Sequence, residues 1–173
     1  MAKTTKKRDK AYKPREARRD VLALIFEGDQ PLPDHQRATI LMSLHGSVRS
    51  MARGTGCAQD WHTIVNALNT SQMLCENAGN KEIGLEVVYA AQNAMINVAE
   101  ACKNPNSPRH GKLGFGPGDL PALNEGIAFY ETLLEGVTKR QYTRAIQEAV
   151  RRLEMGAVVK VQKEGTKRFA LAA

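Results

Sequence analysis

Between Asp34 and Gly156, apolar residues recur at three- and four-residue steps in five stretches, each bounded by a glycine, a proline or a capping residue. That period marks amphipathic helices. The first takes Asp34 as its N-cap and carries Ile40, Leu41, Leu44, Val48 and Met51 as far as Gly54. The second starts near Asp60 and runs through Trp61, Ile64, Val65, Leu68 and Cys75 to a stop at Gly79. A third, capped by Asn80, carries Ile83, Val87, Ala91, Ala94, Val98 and Cys102 up to Asn104-Pro105. Asp119 opens the fourth, which continues through Leu123, Ile127, Tyr130 and Leu134 to Gly136. Thr138, with Gln141 three residues later, is a capping box that starts the fifth, and Tyr142, Ala145, Ile146, Ala149 and Leu153 follow before Gly156. Short turns join the first three helices and place sequential neighbours antiparallel, as in an up-down bundle.

The longest irregular stretch of the body spans 104–119 and contains Pro105, Pro108, Gly111, Gly114, Gly116, Pro117 and Gly118. It divides the helices three and two. After Gly156 the period changes from helical to two, with Val159 and Val161, a turn at Lys163-Glu164-Gly165-Thr166, then Phe169 and Leu171. This predicts a C-terminal β-hairpin over 157–173, which is marginal alone and must lean on the fifth helix or on a partner. Residues 1–20 carry basic side chains at almost every second position, with Tyr12 as the one large apolar residue, and read as a flexible arm. The apolar segment Val21–Phe26 follows and is closed by Gly28-Asp29-Gln30-Pro31-Leu32-Pro33, so it packs against the body as a brief helix or strand. The expected fold is therefore mainly α: an antiparallel bundle of about five helices over 21–156, with a basic arm before it and a hairpin after it.

At 173 residues, 42% hydrophobic and 25% charged, the chain is the size of one domain with an appendage and can bury a sizeable core. No stretch approaches the ~18 uninterrupted apolar residues of a membrane-spanning helix. Three widely spaced cysteines, Cys57, Cys75 and Cys102, disfavour a disulfide scaffold, and no apolar N-terminal leader is evident, so a reducing cytoplasm is the expected setting. The formal charge of +7 is unevenly distributed. Residues 1–20 hold nine basic side chains against three acidic, and 139–173 again hold nine against three. The intervening 21–138 hold seven against twelve, so two ends of +6 flank a body of −5. Such sign asymmetry points to an anionic partner more sharply than the total does.

No catalytic set assembles from spacing. Cys75 and Cys102 fall on the apolar faces of their helices, where cysteine is a small inert hydrophobe, and Cys57 lacks the orienting third group that an activated nucleophile needs. The four histidines, His35, His45, His62 and His110, and the cysteines never reach metal-ligand spacing, so neither a metal nor a cofactor is expected. Gly111-Lys112-Leu113-Gly114 lacks both the following Ser or Thr and the preceding strand of a phosphate loop, and reads as a hinge or turn. The acidic residues fall at solvent-facing helix positions with no evident pair. Arg151 and Arg152 are, in the plain reading, simply solvated. Gly84, Ala90, Ala91 and Ala94 give the third helix a small-residue face that permits close helix contact, internal or in a homo-oligomer.

Binding remains. Gly136-Val137-Thr138-Lys139-Arg140-Gln141-Tyr142-Thr143-Arg144, followed by Leu153-Glu154-Met155-Gly156-Ala157-Val158-Val159, resembles the recognition half of a winged helix-turn-helix. By that resemblance Arg140, Gln141, Thr143 and Arg144 face the major groove, while Lys163, Lys167 and Arg168 are wing contacts. The match covers about a quarter of the chain and departs from the pattern, since the fifth helix is about one turn too long and no short positioning helix precedes it. A looser likeness covers most of the chain. Lys10-Ala11-Tyr12-Lys13-Pro14-Arg15, Trp61 with Asn66-Ala67-Leu68-Asn69, and Gly111-Lys112-Leu113-Gly114 with Gly118-Asp119-Leu120 are similar to short helical proteins of bacteriophages and related mobile elements. The resulting expectation is a non-enzymatic regulator that binds nucleic acid, DNA foremost, through Lys6, Lys7, Arg8, Lys10, Tyr12, Lys13, Arg15, Arg18 and Arg19 of the arm together with the fifth helix and hairpin. Its rivals are a phage-encoded inhibitor that uses the same basic patches on a host defence or nucleic-acid-processing complex, and a virion component.

Overall fold

The computed structural model describes residues 28–78 and 84–155, together with the backbone of 159–161 and 169–171. The structure is mainly helical, with five helices among the described residues: α1 (Asp34–Ala52), α2 (Ala58–Asn77), α3 (Leu85–Lys103), α4 (Asp119–Gly136) and α5 (Lys139–Glu154). All five coincide with the periodic stretches of the sequence. The arm, Val21–Phe26, the Asn80 cap and the hairpin turn lie outside the described residues.

Local chemistry sets the helix ends. Pro33 rather than Asp34 occupies the N-cap of α1, and Asp34 sits in the first turn, where its carboxylate accepts from Arg37 and complements the helix dipole. α2 begins at Ala58, with Cys57 as N-cap and Asp60 reaching back to the Cys57 backbone N–H at 2.9 Å. The described part of α3 opens at Leu85 after Gly84, whose φ of 87° suits glycine, and a Cβ there would run into the Phe129 ring.

α2 is the central helix and touches the other four. It buries Ile64 and Leu68 and then the unbroken run Thr70–Cys75, so its C-terminal half is covered on every side. Its polar members are satisfied locally or across the core. Thr70 and Ser71 hydroxyls donate to the Asn66 and Ala67 carbonyls, and Gln92 of α3 donates to Asn69 Oδ1 and Gln72 Oε1, both at 3.0 Å. Around it pack Leu44, Met51, Val98, Leu123, Tyr130 and Leu134.

The most extensive helix pair is α3 with α4. Its closest approach lies at Gly126, where a built Cβ would stand 2.4 Å from the Ala91 Cβ. The small-residue face of α3 is thus used inside the chain: Ala91 and Ala94 are buried, while Ala90 is exposed. The final helix departs from sequential packing, because α5 lies chiefly against α2 rather than α4. Val137 and Thr138, which join α4 to α5, are both extended, so the second helix leaves at a corner instead of folding back along the first. The two meet at the corner, where the Tyr130 and Tyr142 hydroxyls are 3.3 Å apart.

The segment entering α1 is tied to this corner. Leu32 N–H donates to the Val137 carbonyl, and the Lys139 and Arg140 N–H groups donate to the carbonyls of Gln30 and Gly28. Leu32 itself is buried in the core.

Candidate nucleic-acid interface

The start of α5 is built by its capping box. Thr138 Oγ1 accepts from the Gln141 N–H at 3.3 Å, and the Gln141 side-chain oxygen accepts from the Thr138 N–H at 2.9 Å. One face of the helix, with Tyr142, Ala145 and Ala149, joins the core, and Ala145 is completely buried. On a 100° per residue wheel the opposite face collects Arg140, Arg144, Gln147 and Arg151, all exposed. Arg140 is paired with Asp29 at 3.1 Å and Arg151 with Glu148 at 3.7 Å, both in partly open surroundings where such pairs are weak. Arg144 carries no ion pair among the described residues.

The four α5 residues expected to read bases therefore differ in availability. Arg140 and Arg144 stand on the exposed stripe. Gln141 is engaged in the cap, and the Thr143 hydroxyl donates to the Lys139 carbonyl at 2.8 Å. Arg151 joins the stripe although its sequence context gave no reason to separate it from Arg152. The arm residues and Lys163, Lys167 and Arg168 lie outside the described residues.

Arg152 is not the solvated side chain of the plain reading. Its Nη2 donates to Glu76 Oε2 at 2.7 Å, its Nε lies 3.5 Å from Glu148, and the Glu76 hydrogen bond chiefly drives its pKa further upward. It fastens the end of α5 to the end of α2. Glu76 accepts from Gln72 as well, so this carboxylate continues the polar row of α2.

Nor are the acidic residues all solvent-facing. Asp119 is 7% exposed. Its Oδ2 accepts from the Gly116 N–H at 2.6 Å and from Arg109 Nη1 at 3.3 Å, and its Oδ1 from Asn97 at 3.3 Å. Arg109 also donates to the Gly114 carbonyl at 3.0 Å, and Leu113 forms a bridge to Gly56. The Gly/Pro stretch is accordingly a connector pinned at both ends.

The remaining reactive groups have structural surroundings. Cys75 is buried, and burial followed by the nearby Glu76 carboxylate pushes its thiol pKa up, opposite to what a nucleophile needs. Burial likewise pushes the Tyr130 phenol up. His45 Nε2 is 2.7 Å from Glu131 on the surface, and His62 stacks edge-on against Trp61, whose indole N–H donates to the Met95 carbonyl. Among the described residues no group of three or more His, Cys, Asp or Glu side chains is placed to hold a metal ion, and no helix is long and apolar enough to cross a membrane.

Beside the basic stripe α5 carries a second exposed feature. Ile146, Val150 and Leu153 are 38%, 47% and 53% exposed, respectively. They form one wall of an open groove of about 350 Å³, with α1 (Ile40, Ser43, Leu44) opposite and α2 (Thr63, Asn66, Ala67, Thr70) as the floor. Periodicity alone assigned Ile146 and Leu153 to the core, because it cannot tell a covered apolar face from its uncovered shoulder. Comparisons of the chain with protein-family models, with curated proteins and with solved structures return no match.

Proposed function

We propose that this chain is a non-enzymatic nucleic-acid-binding protein, with duplex DNA its foremost target, acting as a regulator of the kind carried by bacteriophages and mobile elements. The observation that carries the reading is the exposed row Arg140, Arg144 and Arg151 on the face of α5 turned away from the core. At 1.5 Å rise per residue these guanidinium-bearing positions stand about 6 Å and about 10 Å apart along the helix, a row suited to successive backbone phosphates. The charge partition supports it, since both ends of the chain carry +6 and the helical body between them −5. The C-terminal hairpin belongs to the same reading. Its support is the antiparallel register of Val159 opposite Leu171 and Val161 opposite Phe169, with Lys160 on the first strand.

Lysine and arginine at such a surface displace condensed counterions, so affinity falls with salt by about 0.9 log units per log unit for each duplex phosphate neutralised. The test is binding of the full chain to duplex DNA, single-stranded DNA and RNA at two or more salt concentrations. Arg144→Ala is expected to reduce the salt slope by about 1 if it meets a phosphate, or to relax base preference at one position if it reads a base. Deleting residues 1–19 should weaken binding and flatten the slope further. No binding to any of the three at low salt, or a salt slope and base preference both untouched by Arg144→Ala, overturns the assignment to α5.

The apolar wall beside the stripe favours a second reading, an inhibitor that binds a host protein complex. A partner that stays bound after nuclease treatment of the lysate supports it over the first.

A further inference from the structure

We infer that the groove between α1 and α5 is the seat of the chain's own Val21–Phe26 segment. The inference goes beyond the nucleic-acid reading and does not depend on it. Three observations converge on this occupant.

The first is a matched need. Ile146, Val150 and Leu153 form an apolar row uncovered among the described residues. Val21-Leu22-Ala23-Leu24-Ile25-Phe26 is six consecutive apolar residues between Asp20 and Glu27, and it lies outside the described residues. Neither is stable against water, and each offers what the other lacks.

The second is where the described chain begins. The Gly28 carbonyl accepts from the Arg140 N–H and the Gln30 carbonyl from the Lys139 N–H, so the chain enters the described body at the first turn of α5. Tyr142, the first α5 residue of the groove, is two positions further on, about 3 Å along the helix. The same entering segment leads directly into α1, the opposite wall. Gly28 therefore stands near one end of the groove.

The third is length. Seven residue-to-residue steps lead from Gly28 back to Val21, and extended they span about 23 Å. From Arg140 to Leu153 the helix rises about 20 Å. The segment is long enough to follow the whole groove, and Glu27 is the only residue between Phe26 and the fixed Gly28. A tether this short holds the segment at high effective concentration, an advantage that a second copy or a foreign helix lacks. Seating Val21–Phe26 there also tethers residues 1–20 to the flank of the helix that bears Arg140, Arg144 and Arg151. The two basic ends of the chain then form one surface.

Disulfide trapping on the full chain, without nucleic acid, tests this. Leu24→Cys is combined with Val150→Cys, and in a control with Met42→Cys, which is exposed on α1 outside the groove wall. After mild oxidation, peptide mapping by mass spectrometry identifies each pair, including any to the native Cys57, Cys75 or Cys102. The 24–150 intrachain disulfide is expected in several-fold higher yield than 24–42. Equal yields, or a 24–150 disulfide found only between chains, overturn the proposal, the latter in favour of a second copy. Where the paired variants lose their helical circular dichroism, Leu24→Asp in the otherwise native chain decides between the outcomes. Hydrogen exchange in the Ile146–Leu153 peptide should rise several-fold, and unchanged exchange there overturns the proposal. Neither readout involves nucleic acid, so a chain that fails to bind DNA leaves this result standing.

Discussion

Gly126→Ala adds one methyl group in the middle of α4, and two opposing effects decide its sign. Alanine is the better helix former by about 1 kcal/mol, so helix propensity alone predicts stabilisation. Packing predicts the reverse. The new Cβ would lie 2.4 Å from the Ala91 Cβ and 3.4 Å from Leu68 Cδ2, and Ala91 is fully buried on α3. A Cβ has no rotamer by which to retreat, so the helices must separate along their most extensive contact. Overpacking a core typically costs 1–3 kcal/mol, and a contact this short belongs at about 3. After the propensity gain a net loss of about 2 kcal/mol remains, a fall in Tm of roughly 4–8 °C for a domain of this size. Thermal and urea unfolding followed by circular dichroism measure it. The partner substitution Ala91→Gly should cost about 2 kcal/mol, from about 0.8 for the lost methyl and about 1 for helix propensity. In the double variant the methyl merely changes sides, so stability should return to within about 1 kcal/mol of the native chain, whereas independent effects would sum to about 4. A Gly126→Ala chain that melts higher than the native one, or a double variant whose losses add, would refute the contact as the cause.

Two further outcomes follow from the carboxylates. Asp119→Ala strips the acceptor from the Gly116 N–H, Asn97 and Arg109 at a buried position, and a loss of about 2–4 kcal/mol is expected in urea unfolding, given about 1.5–3 for one hydrogen bond to a charged group and partial relaxation of the rest; a change under 1 kcal/mol would mean the connector is not held by this side chain. Asp60 is held below its usual pKa of 3.8, first by the Cys57 backbone N–H, so the stability it contributes is present above that value and lost as pH falls through the lowered folded pKa. Comparing acid unfolding of Asp60→Asn with that of the native chain below about pH 4 should show the native chain losing more stability over this window, and parallel curves would count against the bond.

Much of the fold is legible in the sequence because local repetition encodes it. Leu123, Ile127, Tyr130 and Leu134 announce α4 by their spacing, and Thr138 with Gln141 announces the start of α5 by a hydrogen-bond exchange within four residues. What spacing does not reveal is long-range pairing. Glu76 and Arg152 lie 76 positions apart, and nothing in the neighbourhood of either announces the other. Asp119 reads as an ordinary helix-opening acid because its burial is set by Arg109 and Asn97 of other elements. Of the polar run Thr70-Ser71-Gln72, the two hydroxyls are satisfied by carbonyls of their own helix, whereas the Gln72 side-chain oxygen finds its partner, Gln92, only once α3 is assembled against α2. At the candidate interface, charge composition pointed to α5 as a region. Which residues are available depended on contacts: the cap engages Gln141, Glu76 draws Arg152 inward, and Arg151 is left on the stripe.

The hydrogen bonds between 28–32 and 137–140 also set an order in time. Leu32 meets Val137 across about a hundred residues of intervening chain. At synthesis rates of about 5–20 residues per second, the strap at the front of α1 must wait roughly 5–20 s for its partner to be made. Until then the side of α2 that α5 covers stays open, and α1 through α4 have no lid. The last of the described helices to be synthesised is thus the one that seals the core, and it also bears the basic stripe. A chain interrupted before Thr138 forfeits both the closed core and the Arg140, Arg144 and Arg151 stripe, so no such partly made product can present that stripe without the fold behind it.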